Sequence, residues 1–558
     1  MILSDAATIG HYTRAGVWGL ATIDEIFRKT ARSRPDGEAV RDAPNRAAIT
    51  HAEPRRLTYG ELDAAVDRLV GHFASLGLVS GDIIATQLPN TVEQILVLLA
   101  ASRSGIVISP LPLMWREYEI NSALPMIAPK AIISATCIAG RNHADMMRYA
   151  AFETVSVRYV LAFGDDVPDG VAPLDWVFDA GGSAIDATPA TVTANDVFTI
   201  CWAGGNHPGA CPVPRSHNQW IAAGLMNLLE SHIGQGATIL SPYPLAGLVP
   251  ISVFFMSWIL SGGTLLLHHP FDFDLFVAQM GDEQIDFVGL PPSVIDAIKS
   301  EGGFAGDRPR PRTLACLWPT PYLPENAHAR VSRLPMPVID IRAFGELAYV
   351  ARKRAAGERP ALIAHGDCAV PAGAAGGPVL LTTRVRGSAT TNGSGKSLLA
   401  GDLMIKSAMM FDAYFPSAVP GGDDPTLERD AHGFVNTGMR CRFVGSTKPS
   451  LDCVRRHAGV IYHGGMSISA TELDRLYSEH ESLSDAAVFA FGDPIMGERI
   501  MAAVVPSPGK TISLDDFNEY LTARKVASYK LPERLVTVKA IPRNEHGEVL
   551  RDLVIDQV

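Results

Sequence analysis

Short strands with no polar face, alternating with capped helices, constrain this chain more than any other feature of its sequence. Thr58 and Glu61 are spaced as a capping box, ahead of a helix whose apolar residues are Leu62, Val66, Leu69, Val70, Phe73 and Leu76. Gly77 closes that helix, as a left-handed C-terminal residue does. A strand over Ile83–Thr86 follows. Asn90 and Glu93 then open a helix over Val92–Ser102, and the apolar run Ile106–Ile108 is the next strand. A strand apolar on both sides needs cover on both sides. The pattern therefore predicts an α/β fold built on parallel sheets with helices on each face.

At 558 residues the chain is too long for one hydrophobic core, since single cores stop growing near roughly 250–300 residues. With 47% hydrophobic and 19% charged residues it falls outside the disordered class. A net charge of −11 argues against nucleic acid as a partner. The seven cysteines lack zinc-type spacing, and their odd number fits reduced thiols in a cytoplasmic setting. Met1 to Tyr12 lacks a basic region followed by an apolar run, so no secretory leader is expected. Leu245 to Leu267 is uncharged and long enough to span a bilayer. Ser261-Gly262-Gly263 instead reads as a break between a buried helix and the strand Thr264–Leu267, so no membrane span is expected.

Pro371–Ser397 is rich in small and hydroxylated residues and reads as a loop-bearing insertion or a turn-rich β section. Within it, Gly393-Ser-Gly-Lys-Ser397 resembles the end of a phosphate-binding loop. Thr390 stands where that loop needs its first glycine, so a polar loop is the expectation. An α/β pattern restarts near Arg455, which divides the chain into 1–454 and 455–558. His268 and His269, with Asp272 and Asp274 behind them, read as a turn and not a metal site.

A series of short landmarks runs in order through nearly the whole chain. Leu57-Thr-Tyr-Gly-Glu-Leu62, Gly81-Asp82, Leu88-Pro-Asn90 and Val288-Gly-Leu-Pro-Pro292 come first. Gly401-Asp-Leu403, His432-Gly-Phe434, Thr437-Gly438 and Gly465-Met-Ser-Ile-Ser-Ala-Thr-Glu-Leu473 follow. Tyr529-Lys-Leu-Pro532 and Pro542-Arg-Asn544 close the series. In order and spacing these resemble the ANL family of acyl-CoA synthetases, adenylation domains and luciferases. The resemblance implies a large N-terminal domain that binds acyl group and nucleotide, and a small mobile C-terminal domain that covers the site. It also implies two half-reactions: ATP converts a carboxylate to an acyl-adenylate, and a thiol, often that of coenzyme A, displaces AMP.

The residues that such an enzyme uses on ATP are largely missing. The family's phosphate loop T-S-G-T-T-G-x-P-K-G reads Ala203-Gly-Gly-Asn-His-Pro-Gly-Ala-Cys-Pro212. Its hydroxyls are gone, Cys211 stands for the lysine, and only Gly205 clearly survives. Y-G-x-T-E becomes Phe344-Gly-Glu-Leu-Ala348, with Ala348 in place of the metal-associated glutamate. Met439 replaces the ribose-binding aspartate, Glu548 the catalytic lysine, and the hinge reads Arg455-Arg-His-Ala-Gly459. Losing one well-placed donor costs a factor of about 10²–10³, and Glu548 would repel phosphates.

Thioester formation asks for less, mainly that thiol and activated acyl group be held in line. By resemblance, the adenylate-binding positions are Trp318, Phe344, Gly345, Met439 and Arg456, with a hinge at Gly459. Gly464, Gly465 and Met466 would approach the pantetheine of coenzyme A. Pro244, Leu245 and Gly247 would border the acyl pocket, where Pro244 replaces an aromatic or histidine and Trp318 a glycine. The expected function is a non-adenylating acyl-CoA ligase that takes an acyl-adenylate from a separate enzyme and uses coenzyme A as co-substrate, with no metal. In this asymmetry it resembles the split ligases of platensimycin-type diterpenoid biosynthesis. A complete ATP-dependent synthetase with divergent motifs and an inactive scaffold protein are the two alternatives.

Overall fold

The structure, a computed structural model, describes residues 1–558 except 180–189, 205–208, 305–309, 324–333, 355–358, 373–375, 388–400, 420–424, 445–449, 457–458 and 556–558. The Gly393–Ser397 segment and Gly205 lie outside the described residues. So do the side chains of Arg455 and Arg456.

Local chemistry sets the early elements. The capping box forms in full: the Glu61 amide donates to Thr58 Oγ1 at 3.2 Å, and the Thr58 amide donates to Glu61 Oε2 at 2.8 Å. The helix runs Tyr59–Ser75, and Gly77 follows at φ +73. The next strand spans Ile83–Gln87, the next helix Val92–Ser104, and the strand after it Val107–Pro110. The uncharged stretch breaks where its glycines predict. Helical turns over Leu248–Ser261 stop at left-handed Gly262 (φ +60), and Thr264–Leu267 is a buried strand. No described helix is long and apolar enough to cross a membrane.

Two large sheets draw their strands from the chain between Glu38 and Lys353. In the seven-stranded sheet every neighbour is parallel except the edge pair Val197–Ala203 and Cys211–Ser216. The eight-stranded sheet is parallel through six strands, with antiparallel strands at its two edges. A third, six-stranded sheet is antiparallel throughout and includes Val379–Arg386 from the turn-rich region. Its strand Ser450–Arg456 continues past residue 454. A separate sheet then begins with the hairpin Val460–His463 and Met466–Ser469 and is completed by Leu483–Asp493, Gly497–Pro506 and Arg534–Thr537.

Four parallel neighbours, Thr238–Ser241, Phe287–Leu290, Thr313–Leu317 and Val338–Ala343, end at the same edge of the eight-stranded sheet. The carboxyl edge of parallel strands is where open α/β sheets bind ligands. Pro244–Leu248, Trp318–Tyr322 and Phe344–Ala348 therefore leave the sheet side by side. One buried carboxylate braces this edge. Asp340 Oδ1 accepts from Trp318 Nε1 at 2.8 Å, while Oδ2 accepts from Arg354 Nε at 3.0 Å and the Ala361 amide at 2.8 Å. Arg354 Nη2 completes the pair. Removing the carboxylate takes this acceptor from Trp318, Arg354 and the Ala361 amide at once. Asp340→Leu is therefore expected to destabilise the protein by about 3–5 kcal/mol, read as a lowered urea midpoint with an unchanged slope.

Candidate functional site

Residues that follow strands of both large sheets meet the small C-terminal part, Gly204 from the seven-stranded sheet and Gly345 from the eight-stranded one, the first at a contact between backbones. Gly204 follows the strand Val197–Ala203, and a Cβ placed on it would overlap the Ser467 carbonyl oxygen. Ser467 Oγ lies 3.9 Å from where a Gly345 Cβ would stand, and Gly345 itself is left-handed at φ +56. Only residues without side chains let the hairpin Val460–Ser469 come this close. The turn of that hairpin is Gly464-Gly465, at φ +59 and +86, anchored by the Gly464 amide on the Met496 carbonyl at 2.8 Å. The structure thus brings Gly345, Gly464, Gly465 and Met466 into one neighbourhood, beside the first residues of the altered phosphate loop.

Two further ties join the parts. Tyr322 donates its hydroxyl to Glu498 Oε1 at 2.6 Å, while Glu498 Oε2 accepts from the Tyr462 amide at 2.7 Å. Beside them, Gly497 packs on Pro319 and Thr320, with space for a Cβ at only 3.3 and 3.1 Å. The second tie centres on Lys530. Its ammonium is buried between Glu472 Oε1 at 2.5 Å and Glu119 Oε1 at 3.4 Å. Glu119 belongs to the helix Glu117–Ile127 of the large part and also accepts from the Ala527 amide at 3.2 Å. Burial alone would depress the ammonium, but the charges of Glu472 and Glu119 outweigh it and raise its pKa, so it stays charged.

The segment Phe344–Ala348 turns on itself through the Phe344 amide to the Ala348 carbonyl, 2.8 Å. Phe344 and Ala348 are buried in the main core. Ala348, at the position of the metal-associated glutamate in the resemblance, offers no side-chain ligand atom. Among the described residues no group of three His, Cys, Asp or Glu side chains is arranged to hold a metal ion. His268 is instead spent on Gln279 and on Asp272 main-chain atoms. Cys211 is buried, and burial and then the charge of Glu472 push its thiol up to about 12, so it stays neutral. Met439 packs in the core opposite Arg456 in the strand register. Trp318 turns its indole to Asp340, so its main chain and not its ring faces the sheet edge. Leu245 is buried, Pro244 half-buried, and Gly247 extended at φ 179. Gly459 accepts from the Ala470 amide at 2.9 Å, just ahead of the hairpin. Glu548 is exposed and bonded to Asn544 at 2.7 Å.

Sequence reasoning missed Ser467, Glu119, Tyr322, Glu498 and the partner of Glu346. Ser467 and Lys530 sit inside the landmarks Gly465–Leu473 and Tyr529–Pro532, which was the signal available. Glu119 gave none, because its partner lies 411 positions along the chain.

A large α/β part with a small part closed over its sheet edge defines an enzyme of the ligase class, as the comparisons show. The chain belongs to the AMP-binding enzyme family, which matches residues 27–414, with the AMP-binding enzyme C-terminal domain matching 472–548. It is thereby a member of the ANL superfamily. The salicyl-AMP ligase / salicyl-S-ArCP synthetase of Mycobacterium tuberculosis is 23% identical over 98% of this chain and 92% of its own length. The medium-chain fatty-acid–CoA ligase of Escherichia coli is 23% identical over 97% and 91%. Among solved structures, the amide bond synthetase McbA from Marinactinospora thermotolerans superposes with a TM-score of 0.74 at 17% identity, covering 96% of this chain and 99% of that one. The apo structure of MbtA from Mycobacterium smegmatis gives 0.64 at 21%, covering 100% and 98%.

The Lys530 tie makes a direct expectation. Lys530→Met leaves Glu119 and Glu472 buried and opposed, so the two parts should separate. Amide exchange in the hairpin Val460–Ser469 and at Tyr118 is expected to rise at least about tenfold by mass spectrometry, with exchange in the large sheets unchanged. Unaltered hairpin exchange would show that the tie does not hold the parts together.

Proposed function

We propose that this chain transfers the acyl group of a preformed acyl-adenylate to coenzyme A and releases AMP. The observation that carries this reading is an asymmetry at one place. The glycine hairpin is closed against Gly204 and Gly345, while the loop that would serve ATP has no hydroxyl and the segment has Ala348 where the family has its metal-associated glutamate. The step balances simply. The thiolate sulfur attacks the acyl carbon, the bond from that carbon to the phosphate oxygen breaks, AMP leaves with that oxygen, and the thiol proton passes to solvent. A thiol of pKa about 8.5 supplies enough thiolate with modest help.

In this reading Phe344, Gly345, Met439 and Arg456 border the adenylate, and Trp318 does so through its main chain. Gly464, Gly465 and Met466 line the pantetheine path. Pro244, Leu245 and Gly247 border the acyl group. The part from the hairpin to the C-terminal end is the mobile domain, with its hinge at Gly459, and the adenylate comes from a separate enzyme. Seven unpaired cysteines suit a reduced, cytoplasmic setting. The relatives named as CoA ligases support the acceptor.

The test sets purified protein with coenzyme A against a panel of synthetic acyl-adenylates, and in parallel against the matching carboxylates with ATP and magnesium. Thioester is expected from adenylates alone. Carboxylate-dependent exchange of pyrophosphate into ATP would overturn the reading in favour of a complete synthetase. Turnover of neither set would favour a binding protein.

A further inference from the structure

Arg215 is a fully buried cation that the proposed chemistry does not use. It lies on the strand Cys211–Ser216 directly after the altered phosphate loop, with a side chain 0% exposed. Its Nη1 pairs with Glu346 Oε2 at 2.7 Å, and Nη2 donates to the Glu346 carbonyl oxygen. Nε donates to the Met409 carbonyl at 3.3 Å, and the guanidinium sits 5.1 Å from the Trp220 ring and 5.7 Å from that of Phe411. Such burial is costly unless every donor is matched, and these contacts match the fork on three sides.

Glu346 has a second task. Its Oε1 accepts from the Leu248 amide at 2.9 Å and lies 3.0 Å from where a Gly247 Cβ would stand. One carboxylate therefore joins three pieces: the strand below the phosphate loop, the segment Phe344–Ala348, and the segment Pro244–Leu248. The last two are those assigned to adenylate and acyl group. An ordinary apolar contact could fill the same space, but it would not fix two loops in both distance and direction, as an ion pair, a fork arm on the Glu346 main-chain carbonyl and the Leu248 backbone bond do.

We propose that Arg215 and Glu346 are a positioning pair that holds the adenylate and acyl segments in mutual register, presenting the acyl carbon to the incoming thiol without help from metal or polyphosphate. The proposal rests on the thioester-forming reading above. Glu346→Gln keeps the Leu248 bond but breaks the ion pair. It is expected to lower kcat for thioester formation at least about tenfold, with KM for coenzyme A within about twofold, because coenzyme A is met by the hairpin and not by this pair. Arg215→Lys, which keeps the charge but loses the fork, is expected to fall between Glu346→Gln and the parent.

The double variant Arg215→Met with Glu346→Leu separates positioning from packing. It is expected to regain the parent's Tm while kcat stays low. Recovery of kcat together with Tm would overturn the proposal and leave the pair a packing device. A folded Glu346→Gln with parental kcat would overturn it as well. Binding of a non-reactive acyl-sulfamoyl adenosine to the parent, measured by calorimetry, keeps the two readings apart. A parent that neither binds it nor makes thioester contradicts the function, whereas an active parent with indifferent variants contradicts only the pair.

Discussion

Everything at the candidate site depends on one place where two backbones touch, Gly204 against Ser467. A contact without side chains contributes little energy of its own, so the closed arrangement must be held from its periphery. Two ties do so on either side of the hairpin, Tyr322 with Glu498 and Glu119 with Lys530 and Glu472. The second is the more demanding. A buried ammonium between two carboxylates is favourable only while both are present and water is excluded. Glu119 comes from the large part and Glu472 from the small one, so the cation is fully compensated only when the parts are together. Sterics thus decide where the hairpin can go, and electrostatics decide how firmly it stays.

Charge near the site is organised inward. Cys211 is neutral where a cation would face phosphates, and the buried guanidinium of Arg215, four residues further along, is committed to Glu346. Lys530 is committed to its two glutamates. A polyphosphate entering here would exchange water for a loop that has Cys211 in place of the family's lysine and no hydroxyls, which is costly in a low-dielectric setting. An acyl-adenylate brings a single phosphate charge and an acyl carbon already activated. The same loop asks less of it, and this difference is the physical ground of the thioester-forming reading proposed above.

What could be read from the sequence was what local chemistry determines. The Thr58–Glu61 box, the Gly77 stop and the break at Gly262 depend on residues within a few positions of one another, and all three form as the spacing predicts. The strands were legible because nothing polar interrupts them, although ends such as Val107–Pro110 shifted by a residue or two as hydrogen-bonded register outweighed hydropathy. The all-antiparallel third sheet was legible only in part: Pro371–Ser397 reads as a loop-bearing insertion or a turn-rich β section and Val379–Arg386 forms there, but pairings across long separations such as Ile363–Ala364 with Ser450–Leu451 leave no local signal. Nor was the direction of Trp318. Its indole follows Asp340, whose orientation is set by Arg354, and no spacing rule links these three residues. Arg215 and Glu346, 131 positions apart, were invisible for the same reason.

The segment Phe344–Ala348 shows how packing and chemistry are bound together. Phe344 and Ala348 are buried in the core, and Leu347 packs against it. A carboxylate at position 348 would be buried, because Ala348 is 0% exposed, and burying a charge without a partner is costly. In a chain that binds a metal there, the ion compensates such a carboxylate. Without the ion, an apolar residue is the more stable choice, as is usual when a functional polar group gives way to packing. The change is then self-reinforcing. Once the segment has joined the core and Glu346 has turned to Arg215, returning one glutamate to position 348 would supply a buried charge and not a ligand. The geometry of the segment is now maintained by the ion pair below it, and that pair needs neither nucleotide nor metal to form.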